Sequence, residues 1–171
     1  FNASRTMRAA QTLYQNGYIT YMRTDSTTLS SQALTATRSE IQKQYGEENL
    51  PDQARAYKSR ASAQEAHEAI RPAGETFSHP DAVAADVDAD ATRLYKLIWQ
   101  RTLASQMRDA QLEKTTVAIE ATAGTDGLAT FEAEGDIVTF PGCLLVWQES
   151  DNTDTDQNLL PLLAENEQLQ L

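Results

Sequence analysis

The chain has 171 residues, a single cysteine and a formal net charge of −11. That length supports one ordinary domain or two small ones around a real core. No apolar run is long enough to span a bilayer as a helix. Cys143 without a partner excludes a disulfide scaffold and fits a reducing cytosol, and the overall charge excludes a uniformly basic nucleic-acid binder. The charge is unevenly spread: through residue 72, nine Lys and Arg stand against seven Asp and Glu, a net +2. The remainder has five against eighteen, a net −13. Contact with a polyanion is therefore expected on the first part, where the small excess does not support tight binding.

Ser4 to Asn16 has the spacing of an amphipathic helix, with Met7, Ala10, Leu13 and Tyr14 on its buried side and Gly17 as its C-terminal cap. Arg5 and Arg8, one turn apart, share a face and are candidates for phosphate contacts as well as ordinary solvated cations. There follows Gly17-Tyr18-Ile19-Thr20-Tyr21-Met22-Arg23-Thr24-Asp25-Ser26, a short β-like run with a polar end. An extended backbone puts Tyr21, Arg23 and Asp25 on one face and Thr20, Met22 and Thr24 on the other. Most strand tyrosines only pack. A phenol, a guanidinium and a carboxylate in a row also suit a phosphodiester. Tyrosine can attack phosphorus and hold it as an ester, but with an ordinary pKa of about 10 it needs a group that takes its proton or stabilises the phenolate. Arginine forks onto phosphate oxygens, and an aspartate two residues on can orient it or help move a proton.

Leu29 and Ser30 open a second helix to about Tyr45, capped by Ser30 and stopped by Gly46. A polar connection from Glu47 to about Ala61 carries Arg55, Lys58 and Arg60, which read equally as backbone contacts and as a solvated loop. Ser62-Ala63-Gln64-Glu65 has the capping-box pattern and starts a short helix that Pro72 ends. His67 and Arg71, four apart, would share its face, and His67 is placed to donate to a phosphate or carry a proton near neutral pH. Glu65 and Glu68 read as capping and solvation. Glu75 to Asp90 reads as a linker, with His79 in a turn. Asp90 or Thr92 then starts a helix to about Met107 whose apolar residues, among them Leu94, Tyr95, Ile98, Trp99 and Leu103, wrap most of its circumference.

From Leu112 the period becomes two. Thr116–Ala121 and Ala129–Glu134 form a hairpin pattern around Gly124 to Gly127, with further short strands at Ile137–Phe140, Leu144–Trp147 and Gln168–Leu171 and an acidic loop at Glu149–Asn158. The fold class is α+β: a helical domain over 1–85, then a long helix and antiparallel β segments over 86–171 that make an incomplete domain. The opening at Phe1 and the strand-like ending read as a piece of a longer protein. Asp86, Asp88 and Asp90 have the spacing of a magnesium site, but they lie where a helix begins and the helix dipole accounts for them. Asp151–Asp156 lacks the glycine and closing glutamate of a calcium loop. No metal ligand is assigned.

The string Leu13-Tyr14-Gln15-Asn16-Gly17-Tyr18-Ile19-Thr20-Tyr21-Met22-Arg23-Thr24-Asp25-Ser26 resembles the active-site tyrosine signature of bacterial type IA DNA topoisomerases. Ala63-Gln64-Glu65-Ala66-His67-Glu68-Ala69-Ile70-Arg71-Pro72 resembles that family's second signature, in the same order and at similar separation. The resemblance is strong over residues 1–72 and continues more weakly through the Leu94–Met107 helix and the Phe140-Pro141-Gly142 turn. It implies a helical tyrosine domain followed by part of a β-rich arch or hinge. Tyr21 would be the nucleophile, forming a 5′-phosphotyrosyl bond, with Arg23 as the phosphate clamp. Asp25 and His67 would support it or transfer protons, and Arg5, Arg8, Thr20, Thr24, Ser26 and Arg71 would meet DNA. The implied partners are single-stranded or negatively supercoiled DNA and the remainder of the topoisomerase chain, in the cytoplasm at the nucleoid. The implied cofactor is Mg2+, bound by acidic residues of a separate domain that precedes the tyrosine domain and is not in this chain; the chain alone is then expected not to relax supercoils. The alternative reading is a helical module that grips single-stranded DNA by stacking on Tyr18 and Tyr21 without catalysis.

Overall fold

The computed structural model describes residues 1–57, 67–122 and 127–147, together with 165, 167 and 168. Its elements are helices α1 (Ala3–Gln15), α2 (Ser31–Tyr45), α3 (Pro80–Val83) and α4 (Ala89–Gln106) and strands β1 (Gln111–Thr122) and β2 (Leu128–Phe140). Short 3-10 turns lie at Glu47–Asn49 and Gly142–Leu145. The α+β class holds. The three long helices each start at a side-chain cap: Asn2 Oδ1 accepts from Arg5 N at 2.9 Å, Ser30 Oγ from Ala33 N at 3.2 Å and Asp88 Oδ1 from Ala91 N at 2.8 Å. Each cap satisfies an amide that the helix itself leaves unpaired.

One compact unit consists of Phe1–Asp109 and Gly142–Trp147; another includes Ala110–Pro141. The boundary thus follows Asp109 and not residue 85, because α4 belongs with the other helices. Its Tyr95, Trp99 and Leu103 share a core with Leu13, Ile19, Ile41, Phe77 and Val83. Phe77 and Val83 also overturn the linker expected at Glu75–Asp90. Both are buried, Val83 as the last residue of α3, and the Tyr95 hydroxyl donates to Ser78 O at 2.7 Å. Val146 completes this core, at 4% exposure. The strand expected at Leu144–Trp147 is a 3-10 turn, closed by the Val146 and Trp147 amides on Cys143 O at 3.2 and 2.9 Å. Gly142 permits the turn: its φ is +47°, and a Cβ there would lie 2.5 Å from Arg108 O. Only glycine adopts that backbone without strain or collision.

In the second unit β1 and β2 are one continuous antiparallel hairpin, longer than the alternating patterns suggested, with Val117 opposite Ala133 and Ile119 opposite Phe131. Period two gives it an apolar face of Val117, Ile119, Ala121, Ala129, Phe131, Ala133 and Ile137. The opposite face is mixed, with Leu112, Leu128 and Val138 beside Thr116, Glu120, Thr130 and Glu132, and carries the Lys114–Glu134 ion pair at 2.7 Å. The acidic loop at 149–158 and most of the strand expected at 168–171 lie outside the described residues. Among those residues no helix is long and apolar enough to cross a membrane.

Candidate active site

The site begins where α1 stops. Asn16 ends the helix and Gly17 follows at φ +74°; the Gly17 amide donates to Tyr14 O at 3.0 Å and the Tyr18 amide to Leu13 O at 2.9 Å. This paired closure needs a left-handed residue, which is why glycine occupies the position. The chain then runs extended against residues 69–73. Ala73 N donates to Tyr18 O at 2.9 Å and Thr20 N to Arg71 O at 3.0 Å, about an Ile19–Pro72 bridge. Ile19 is 2% exposed and anchors the run in the core.

Beyond the bridge no ladder continues, yet the expected alternation survives as burial. Tyr21, Arg23 and Asp25 are exposed, while Met22, Thr24 and Ser26 are half-buried. Thr24 Oγ1 accepts from Ser26 N at 3.0 Å and Ser26 Oγ from Thr28 N at 3.2 Å, so both hydroxyls brace the backbone of the turn. Thr20 Oγ1 is used inside, donating to Ala69 O at 2.7 Å and accepting from Arg71 N at 3.0 Å.

Tyr21 is 41% exposed. Its ring lies 5.5 Å from the Tyr14 ring, at 71°, and 5.8 Å from the His67 imidazole, at 56°. The two signature strings, far apart in sequence, therefore meet at this ring. Tyr14 is not on the buried side of α1 as the helical spacing suggested: that face is Ala9, Ala10 and Leu13, and both Met7 and Tyr14 are exposed.

The helix expected from Ser62 to Pro72 is absent over its described part. Residues 67–71 are irregular, and Ser62–Ala66 lie outside the described residues. His67 and Arg71 consequently do not share a helical face. Arg71 is 6% exposed and turned inward onto protein acceptors: Nε and Nη2 fork onto the two Glu68 oxygens at 2.9 Å each, and Nη1 donates to Pro72 O at 2.7 Å and Gly74 O at 3.2 Å. Glu68 Oε1 also accepts from Ser30 N at 2.8 Å. Burial acts to raise the Glu68 carboxyl, but the hydrogen bonds from Arg71 and Ser30 outweigh it and hold the group below its ordinary range. Reading Glu68 as mere solvation missed this role; its signal was an opposite charge three residues from Arg71.

The remaining cations divide. Arg5 pairs with Asp90, with Nη2 at 2.6 Å from Oδ1, and lies over the Phe1 ring, so its charge is largely met within the chain. Arg8 and Arg23 are exposed. The aspartate triplet is engaged piece by piece: Asp86 accepts from the Tyr18 hydroxyl, Asp88 caps α4 and Asp90 holds Arg5. Among the described residues no three His, Cys, Asp or Glu side chains converge.

An exposed tyrosine touches two other rings, and an exposed arginine and aspartate follow it in the chain. A family model described as DNA topoisomerase matches residues 1–171. The chain belongs to this family, as a segment of the bacterial type IA topoisomerase I kind. It is 53% identical over 151 residues to DNA topoisomerase 1 of Mycobacterium leprae, covering 88% of this chain and 16% of that protein. With DNA topoisomerase 1 of Vibrio cholerae it shares 44% over 162 residues, or 95% of this chain and 18% of the relative. The solved structure of full-length topoisomerase I from Thermotoga maritima superposes with a TM-score of 0.65 at 34% identity, covering 90% of this chain and 25% of that one. The chain thus spans under a fifth of the length of these two sequence relatives.

Proposed function

We propose that this chain is the tyrosine-bearing part of an ATP-independent DNA strand-passage enzyme, with Tyr21 as its nucleophile. The observation that carries the reading is the exposed Tyr21 ring in contact with both Tyr14 and His67, followed by the exposed Arg23 and Asp25. In the cleavage step the Tyr21 Oη–phosphorus bond forms as the bond from phosphorus to the 3′ oxygen breaks. The phenolic proton passes to a base, the departing 3′ oxygen takes up a proton from a general acid or from water, and the 5′ phosphate stays on the protein. Because an ester replaces an ester, resealing is the same step reversed and needs no ATP. Arg23, permanently charged, forks onto the phosphate oxygens as charge builds in the transition state. The proton acceptor is drawn from Asp25, His67 and groups outside this chain. Arg8 supplies a sequence-independent phosphate contact. Magnesium, implied by the family resemblance, falls to residues beyond this chain, and the isolated chain is expected not to relax plasmid.

The test uses the longer polypeptide that carries this segment, a labelled single-stranded oligonucleotide and magnesium, stopped in denaturant and resolved on a denaturing gel. Label should remain on the wild-type protein and vanish in Tyr21→Phe. Equal binding by both proteins with no covalent label would overturn the nucleophile and leave a binding module.

A further inference from the structure

We propose that the Glu68–Arg71 ion pair is a positioning device: it pins residues 67–73 across both arms of the tyrosine segment and thereby holds the His67 imidazole against the Tyr21 ring. The catalytic half of this statement rests on the reading of Tyr21 as nucleophile; the geometric half does not.

The pair joins three pieces of chain. Glu68 Oε1 accepts from Arg71 Nε and from the amide of Ser30, the N-cap of α2. One residue on, Ala69 N donates to Thr28 O at 2.8 Å, so this end of the strip is tied to the exit arm of the tyrosine segment. At the other end Arg71 gathers Pro72 O and Gly74 O onto its guanidinium, while Arg71 O and Ala73 N bond to Thr20 N and Tyr18 O on the entry arm. Tyr21 lies on the loop between the two arms. His67 precedes Glu68 directly, and among the described residues its side-chain interaction is the ring contact with Tyr21. The orientation of the imidazole therefore depends on the backbone that Glu68 fixes. A buried fork of this kind adds little net stability, because desolvation of the charges offsets most of their attraction. Its better-founded yield is geometry, since a planar bidentate contact restricts both partners.

The chain has two histidines, His67 and His79, and His79 sits edge-on to Trp99 at 5.6 Å. Imidazole NMR of the 171-residue chain thus carries a ring-current reporter of the site and another of the core. In Glu68→Gln and in Arg71→Met, the His67 resonance is expected to move toward the position of a free histidine while that of His79 stays. If Arg71→Met also loses the His79 shift, Arg71→Lys, which keeps the charge but not the fork, takes its place with the same expectation. A His67 shift unchanged in Glu68→Gln with His79 in place overturns the geometric claim.

In the longer polypeptide, Glu68→Gln is expected to slow single-turnover adduct formation on the order of tenfold to a hundredfold. Oligonucleotide affinity should be unchanged, and Glu68→Asp should restore part of the rate. An unaltered rate, beside a wild type whose adduct requires Tyr21, overturns the catalytic claim. A wild type with no Tyr21-dependent adduct overturns the nucleophile reading instead, and the imidazole spectra still decide the geometry.

Discussion

Tyr14 is a helix residue that spacing assigned to the core and the structure sets against Tyr21. Its ring meets the Tyr21 ring at 71°, an edge-to-face arrangement of the kind worth about 0.5–1.5 kcal/mol beyond area burial. Since Tyr14 is 43% exposed, that energy serves the orientation of its neighbour more than the fold. Tyr14→Ala is therefore expected to slow Tyr21 adduct formation in the longer polypeptide while the melting temperature of the chain barely moves. Tyr14→Phe, which keeps the ring, should match wild type in both single-turnover rate and thermal unfolding. Arg71 teaches the opposite lesson. Residue type and neighbourhood suggested a phosphate contact, but four hydrogen bonds to protein acceptors already occupy its guanidinium. An arginine's destination depends on which acceptors the fold brings near, and these, the Glu68 carboxylate and two carbonyls, lie on a segment that no helical or strand period describes.

At the scale of elements, α4 organises the helical unit. Its sequence is apolar around most of the circumference, yet only part of that surface is covered: Tyr95, Trp99, Leu103 and Met107 are buried and Leu97 is 49% exposed. Leu103→Ala should cost about 2–5 kcal/mol in chemical denaturation, whereas Leu97→Ala should cost well under half of that. Equal losses at both positions would mean that the covered face has been misidentified. The helices were legible because caps and period act over a few residues: Ser30 and Gly46 bound α2 as their chemistry requires. The short helix expected before Pro72 was not legible. Its capping-box string satisfied a local rule, while the backbone groups of Ala69, Arg71 and Ala73 bond across to the tyrosine segment instead.

For the molecule as a whole, twenty-five acids among 171 residues make acid the informative stress. The Glu68, Asp90 and Asp109 carboxyls are all held below their ordinary range; hydrogen bonds from Arg5 and Arg55 dominate for the two aspartates, and those from Arg71 and Ser30 overcome burial at Glu68. A carboxyl depressed by folding binds its proton more readily in the unfolded chain. It therefore contributes stability above its unfolded pKa of about 4, and loses that contribution as the pH falls through the folded value. Unfolding free energy should be level for these groups above about pH 5 and decline below it. The difference between wild type and Glu68→Gln should narrow over the same acid range in urea titrations. A difference that persists unchanged down to pH 2 would detach Glu68 from the acid transition.

By itself the sequence determined the α+β class, both ends of α2 and the glycine that stops α1, the exposed and half-buried alternation from Tyr21 to Ser26, and the family, through two specific strings. These follow from short-range chemistry: caps, backbone preferences of glycine, and periodicity. Only the tertiary structure decided that α4 belongs with the tyrosine-bearing helices, that Glu75–Asp90 is packed, that the strip 67–73 runs against the tyrosine segment, and that Tyr14 and His67 both lie against Tyr21. Each of these depends on which distant backbone groups and apolar surfaces come together, and hydrogen-bond satisfaction over fifty residues leaves no period in the chain to read.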